Sequence, residues 1–204
     1  MSSNKISVIV FDLGNVLLPF DYNIAVNKLD DIEAGLGEKF TNFYKINYQI
    51  HRAFEKGKLS EKDFINKILN AVNYKITTDE FCEIYSSVFK ENKEVAALLP
   101  KLKKNFKLVL LSNTNSIHQE YGWKNYGFLK YFDKLILSHK VGAIKPEKEI
   151  YKCVENFTKE QSAHHLFIDD VLEYANAAKK LGWDAIQFTG YNNLITELKN
   201  RKIL

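Results

Sequence analysis

The chain has 204 residues, 46% of them hydrophobic and 13% aromatic, with only 9 Gly and 3 Pro; that is enough apolar surface for a sizeable core, and it excludes disordered, collagen-like and low-complexity classes. The net charge is +4, but only Arg52 and Arg201 are arginines, and scattered lysines without an arginine cluster argue against a nucleic-acid partner. No stretch approaches the ~18 apolar residues of a membrane span and the first apolar run is too short for a signal sequence, so a soluble, cytoplasmic monomer or homodimer is expected, with Cys82 and Cys153 reduced because they lack CxxC or metal-ligand spacing.

In chain order, the first signal is Ile6-Ser7-Val8-Ile9-Val10-Phe11, followed by Asp12-Leu13-Gly14-Asn15. A continuous β-branched run, rather than an alternating one, suits a strand covered on both faces in the middle of a parallel sheet. From about Asp21 to Pro100 the periodicity is helical. Ser60-x-x-Asp63 and Thr77-x-x-Glu80 each read as a capping box ahead of an apolar face, and the stretches Tyr22 to Leu36 and Lys39 to Phe54 complete a bundle of about four helices. A further helix carries Val95, Leu98, Leu99 and Leu102. Strands then read at Lys107 to Leu111, Lys134 to Leu137, Leu166 to Ile168 and Ala185 to Phe188, and helices at Ser116 to Tyr126, Glu147 to Asn156, Leu172 to Leu181 and Asn192 to Lys199. The fold class is α/β, a doubly wound Rossmann-like parallel sheet with an inserted four-helix bundle.

In such sheets the ligand sits beyond the carboxyl ends of the strands, so the residues that follow each strand converge. These are Asp12, then Ser112-Asn113-Thr114-Asn115, then Lys145-Pro146, then Asp169-Asp170. Three carboxylates around one point require a countercharge, and hard oxygen ligands favour Mg²⁺, with Lys145 as a second positive group. One aspartate could attack phosphorus, giving an aspartyl-phosphate for water to hydrolyse, while Ser112 and loop amides bind the phosphoryl oxygens.

The same residues resemble a known family. A hydrophobic strand ending in Asp, a Ser after a second strand, a Lys and an acidic pair are similar to the haloacid dehalogenase-like hydrolase superfamily over essentially the whole chain. Phe11-Asp12-Leu13-Gly14-Asn15-Val16, Leu111-Ser112-Asn113-Thr114-Asn115, Gly142-x-x-Lys145-Pro146-Glu147-x-x-Ile150-Tyr151, Phe167-Ile168-Asp169-Asp170 and, in the insert, Phe54-Glu55-x-Gly57-x-Leu59-Ser60 look like the bacterial subgroup that includes the α-glucose-1-phosphate phosphatases. The resemblance implies Asp12 as nucleophile and Mg²⁺ ligand, the Gly14 carbonyl and Asp170 as further ligands, and Asp169 as ligand or neighbour. It implies that Ser112, Lys145, Asn113 and the Leu13-Gly14 segment bind phosphate. It implies an α/β core over 1–19 and 101–204, with 20–100 a helical cap that excludes water and sets specificity.

One position departs from that pattern. Most phosphatases of the superfamily carry a second Asp two residues after the nucleophile to protonate the leaving group, and here that residue is Gly14. A sugar 1-phosphate, whose leaving group is more acidic than an ordinary alcohol, fits the gap; so does dehalogenation, because halide needs no proton. Asp21, Glu55 and His118 are candidate substitute acids. The expectation is therefore a Mg²⁺-dependent phosphatase for a small phosphorylated metabolite such as a hexose 1-phosphate, with a dehalogenase and a catalytically silent phosphometabolite binder as rivals. Single motif residues have bland readings: Asp169 or Asp170 as a helix cap, Pro146 as a helix start, Glu173 as an exposed helix carboxylate, and His118, His139, His164 and His165 as structural groups. The rings of Phe40, Phe43, Tyr44, Tyr48 and Phe54 read mostly as bundle core, a few of them lining a pocket.

Overall fold

The computed structural model describes residues 6–204, so residues 1–5 of the expected core lie outside it. Five parallel strands, β1 (Val8–Phe11), β2 (Lys107–Ser112), β3 (Lys134–Leu137), β4 (His165–Asp169) and β5 (Asp184–Gln187), form one sheet in the order β3-β2-β1-β4-β5. The chain builds outward from β1 to β3 and then returns to the other side of β1, so the switch point lies between β1 and β4, where open α/β sheets bind ligands. Phe11 pairs with Leu110 on one side and Ile168 on the other. The next residues in register are Asp12, Leu111 and Asp169, which sets two carboxylates side by side at the strand ends.

The apolar runs are buried on both faces, as their continuity predicts. Ile9, Phe11, Leu108, Leu110, Leu166 and Ile168 face one core, while Val8, Val10, Val109, Leu111, Phe167 and Ala185 face the other, following the two-residue period of a strand. The first core is covered by α6 (Lys93–Ala96), α7 (Leu99–Leu102) and α11 (Tyr191–Asn200), and the second by α9 (Lys148–Thr158) and α10 (Leu172–Lys180).

Between β1 and α6 lie five helices where the sequence suggested about four: α1 (Asn23–Ile32), α2 (Leu36–Ile46), α3 (Tyr48–Glu55), α4 (Glu61–Ala71) and α5 (Thr78–Ser86). The stretch read as one helix over Lys39 to Phe54 breaks at Asn47, whose φ of −119° and ψ of 33° are not helical and whose side chain donates to the Phe43 carbonyl. The two capping signals hold in different degrees. Ser60 Oγ accepts from the Asp63 amide, and Thr77 and Glu80 form a reciprocal box. These helices share a third core, including Leu36, Phe40, Phe54, Phe64, Phe81 and Tyr85, into which Ile117 from the chain after β2 also packs.

Packing places the end of this helical unit before the expected boundary at Pro100, because Val95, Leu98 and Leu99 pack with β1 instead. Two segments also differ from their sequence reading. The helix expected over Ser116 to Tyr126 is a π-helix over His118–Trp123, and a short helix, α8 (Ser138–Val141), follows β3. Pro146 does not start α9: the helix begins at Lys148 after Glu147, and the Lys145–Pro146 peptide is cis. No described helix is long and apolar enough to cross a membrane, and both cysteines are free thiols.

Candidate active site

The strand ends converge as the sequence predicts. Asp12 follows β1 and is 6% exposed; Lys145, in the loop between α8 and α9, is 1% exposed; Asp169 closes β4 and is fully buried. The Lys145 ammonium donates to Asp12 Oδ1 and to Asp169 Oδ2, both at 2.7 Å. One oxygen from each of Asp12, Asp169 and Asp170 lies within 4.8 Å of the others. Asp169 Oδ1 accepts from the Val171 amide and Asp170 Oδ2 accepts from Asn15 Nδ2, so the oxygens left without a protein partner among the described residues are Asp12 Oδ2 and Asp170 Oδ1. Of the acidic pair, Asp169 is therefore the member that ties the start of the α10 segment, by accepting from the residue before that helix.

The electrostatics follow from burial. Loss of water pushes the Asp12 carboxyl up to about 7, against the lowering effect of Lys145 and with the raising effect of Asp169. Desolvation also raises Asp169, and Lys145 opposes it. Burial alone would lower the Lys145 ammonium, but the two carboxylates hold it above its usual value. Three carboxylates against one ammonium leave the cluster short of positive charge, and the open atoms are all hard oxygens. This donor set fits a divalent cation such as Mg²⁺.

Asn113 has a role the sequence did not reveal. Its Oδ1 accepts from the Lys145 amide at 2.7 Å and its Nδ2 donates to the Lys145 carbonyl at 3.1 Å, so one side-chain amide pins both backbone groups of the lysine. Ser112, 2% exposed, lines the same cavity as Asp12, Leu13, Gly14, Asn113, Lys145 and Asp170, whereas Asp169 is too deep to line it. The amides of Leu13, Gly14 and Asn113 donate to no protein acceptor among the described residues. They are free N–H groups at strand ends, suited to an anion.

The cavity measures about 320 Å³, and its outer wall comes from the helical unit. Tyr22, Tyr44, Tyr48, His51, Arg52 and Glu55 line it, so Tyr44, which also packs against the bundle core, and Tyr48 face the pocket, while Phe40 and Phe54 stay in the core. Arg52 donates from Nη1 to Glu55 at 2.8 Å and from Nη2 to the Lys145 carbonyl at 3.3 Å. Lys56 pairs with Glu147 at 2.5 Å and Ser116 Oγ donates to Glu61 at 2.5 Å. Gly57 has φ +69°, and a Cβ built there would lie 2.5 Å from the His139 carbonyl oxygen. The Glu55-x-Gly57 pattern is thus the seam where the helices meet the loop that carries Lys145. The placement of Arg52 and His51 in the cavity wall is recognisable only from this long-range contact.

The candidate acids separate. Asp21 is exposed and accepts from the Asn23 amide, outside the cavity. Glu55 lines it, but despite the cost of burial its carboxyl is held below its usual value by His51 and Arg52, so it stays ionised. His118 lines it too, pushed down to about 3 by burial and then by His51, so its ring is neutral. At position 14 a Cβ would lie 3.2 Å from the Phe20 ring and 3.9 Å from Asp12 Oδ2; Phe20 occupies much of the space that an acid there would use. Glu173 is exposed and lies elsewhere, and His139, His164 and His165 do not line the cavity.

A model of the haloacid dehalogenase-like hydrolase family matches residues 6–182. The chain belongs to the haloacid dehalogenase-like hydrolase family. This hydrolase is 28% identical over 187 residues to a D-ribitol-5-phosphate phosphatase from Bacteroides thetaiotaomicron, a match that spans 88% of this chain and 90% of the relative. Its fold superposes with a TM-score of 0.78 on a family enzyme from the same bacterium in complex with magnesium and inorganic phosphate, at 27% identity over 89% of this chain and 93% of that one. An L-2-haloacid dehalogenase from Xanthobacter autotrophicus shares the fold at a TM-score of 0.63 and 20% identity, covering 98% of this chain and 84% of that one.

Proposed function

We propose that the chain is a Mg²⁺-dependent phosphatase acting on a small polyhydroxylated phosphomonoester through an Asp12 phosphoenzyme. The observation that carries the reading is the Asp12–Lys145–Asp169 cluster, which holds one oxygen of Asp12 in place and leaves Oδ2 open toward the cavity. Asp12, Asp170 and the Gly14 carbonyl are assigned to the cation, and Asp169 to holding Lys145. When bound, Mg²⁺ offsets the charge of the phosphoryl oxygens and of the carboxylates around it.

Asp12 Oδ2 attacks phosphorus. The P–O bond to the substrate breaks as the bond to Asp12 forms, and water then cleaves the phosphoenzyme to release inorganic phosphate and restore the carboxylate. Lys145 holds positive charge beside the reacting oxygen, and Ser112 with the free amides of Leu13, Gly14 and Asn113 holds the phosphoryl oxygens. Helices α1–α5, the proposed cap, exclude water and shape the substrate end of the cavity. Glu55 stays ionised and His118 neutral, so the leaving alkoxide takes its proton from solvent. That favours a good leaving group and supports a hexose 1-phosphate. A sugar-alcohol phosphate is the second reading, favoured by the named activity of the relative from Bacteroides thetaiotaomicron. The open carboxylate oxygens weigh against a dehalogenase, since halide displacement needs no metal.

The test is phosphate release from α-glucose 1-phosphate, glucose 6-phosphate, ribitol 5-phosphate and a nucleotide, each with Mg²⁺ and with chelator. Metal-dependent release supports the reading, the preferred substrate decides between the two finer ones, and no release from any substrate refutes it.

A further inference from the structure

The three carboxylates of the cluster are not held by the same kind of group. Asp12 Oδ1 and Asp169 Oδ2 share the Lys145 ammonium, and Asp169 Oδ1 accepts from the Val171 amide. Asp170 has neither. Among the described residues its side chain has one hydrogen-bond partner, Asn15 Nδ2, which donates to Oδ2 at 3.0 Å across 155 positions of chain. Asn15 lies in the loop after β1 and Asp170 follows β4, and both line the cavity. Of the three carboxylates, Asp170 is therefore the one whose orientation depends on a neutral side chain.

The turn that carries Asn15 is built to present this amide. Asn15 has φ +53°, a left-handed conformation that asparagine adopts several-fold more readily than most side chains. Its backbone N–H donates to the Leu18 carbonyl at 3.0 Å, and the Leu17 and Leu18 amides donate to the Leu13 carbonyl at 3.0 and 2.8 Å. Val16, Leu17 and Leu18 are fully buried in the core beneath β1 and anchor the turn, which leaves Asn15 exposed at its tip. The residue before it is Gly14, whose carbonyl is assigned to the cation. One short segment thus governs two of the donors, Gly14 through its backbone and Asp170 through the Asn15 side chain. Groups that hydrogen-bond to a metal-ligating carboxylate orient it, and losing one typically weakens metal binding or activity about 10–100-fold.

We infer that Asn15 is a positioning residue for the cation: it holds Asp170 Oδ2 so that Oδ1 stays free for the metal, and its loss weakens Mg²⁺ binding without changing the chemistry of the loaded site. This rests on the Mg²⁺-dependent reading of the site. It adds a residue assigned to neither metal nor phosphate, acting through a ligand from the opposite side of the switch point.

The test variant is Asn15→Gly, which removes the side-chain amide while glycine accepts the positive φ at no steric cost. Calorimetric titration of Mg²⁺ alone into metal-stripped, substrate-free protein should give a dissociation constant raised about ten-fold, near the lower end of the range because the bond is exposed. With the preferred phosphomonoester, the Mg²⁺ concentration for half-maximal rate should rise by a similar factor, whereas at saturating Mg²⁺ both kcat and KM should stay within about two-fold of wild type. A dissociation constant within about two-fold of wild type would overturn the proposal. So would a raised KM at saturating Mg²⁺, which would place Asn15 against the substrate, or a loss of kcat that saturating Mg²⁺ does not restore, which is the mark of a distorted loop. Should the glycine variant fail to fold by circular dichroism, Asn15→Ala removes the same amide and is held to the same criterion for Mg²⁺ binding. Equal Mg²⁺ binding by wild type and variant refutes the positioning role alone, whereas no Mg²⁺ binding and no phosphate release by the wild type removes the metal-dependent reading and the role with it.

Discussion

Replacing Lys145 by Met removes the one cation that two buried carboxylates share. Both ion pairs are 2.7 Å long, with side-chain exposures of 1%, 9% and 0% for Lys145, Asp12 and Asp169. Removing one partner of a buried pair costs about 3–5 kcal/mol, because the remaining charge is left uncompensated. For a domain of this size each kcal/mol lowers Tm by about 2–4 °C, so a fall of roughly 6–20 °C is expected in metal-free buffer near pH 8. The pH dependence has a definite sign. The folded-state pKa of Asp12 is already raised, to about 7, so its contribution to stability is greatest below its unfolded value and is lost as pH rises through the folded one. Without the lowering effect of Lys145 the folded value rises further, which carries that loss to higher pH. The Tm difference between wild type and variant should therefore be larger near pH 8 than near pH 5.5. Thermal unfolding in chelator at both values measures it, and an equal difference at the two, or none, would refute the electrostatic account. In the same variant kcat with Mg²⁺ should drop about 100-fold or more, as for loss of one preorganised positive donor.

Asp12→Asn should abolish phosphate release while leaving the circular dichroism spectrum unchanged; appreciable turnover would remove Asp12 as nucleophile. Activity should vanish in chelator and return on adding Mg²⁺, and chelator-resistant turnover would count against a metal-assisted reaction. Asn113→Ala should lower kcat about ten-fold with little change in KM, because two hydrogen bonds of about 1 kcal/mol each position the Lys145 backbone; a pure KM effect would instead assign the side chain to substrate. Gly57→Ala should destabilise the protein by about 1–3 kcal/mol, since the left-handed backbone and the contact with the His139 carbonyl both oppose a methyl group. Chemical denaturation would detect it, and a neutral result would show that the seam can relax.

The sheet and the site were legible in the sequence for the same reason. Residues 8–11, 108–111 and 166–168 are continuous apolar runs, and a parallel sheet places whatever follows them at one edge, so the sequence alone makes neighbours of Asp12, Ser112 and Asp169. Thr77 and Glu80 announced a helix start because capping is local. What escaped was non-local. The break at Asn47 depends on a backbone conformation that no periodicity encodes, and the side of the sheet on which Val95 and Leu99 pack is decided by tertiary contacts. Asn113 read as a phosphate-binding loop residue because its spacing gave no sign that its side chain would turn to Lys145, across 32 positions of chain. The segment after Ser116 carries apolar residues at helical spacing, and periodicity does not distinguish an i→i+5 turn from an α-helix.

The Lys145 carbonyl accepts from Arg52 as well as from Asn113, and the next ion pair along that seam joins Lys56 to Glu147, two residues beyond the lysine. Were helices α1–α5 to separate from the sheet, both tethers on the loop whose ammonium pairs with Asp12 would be released. Opening of that seam would loosen the loop that supports Asp12, so entry to the pocket and the support of that carboxylate would change together.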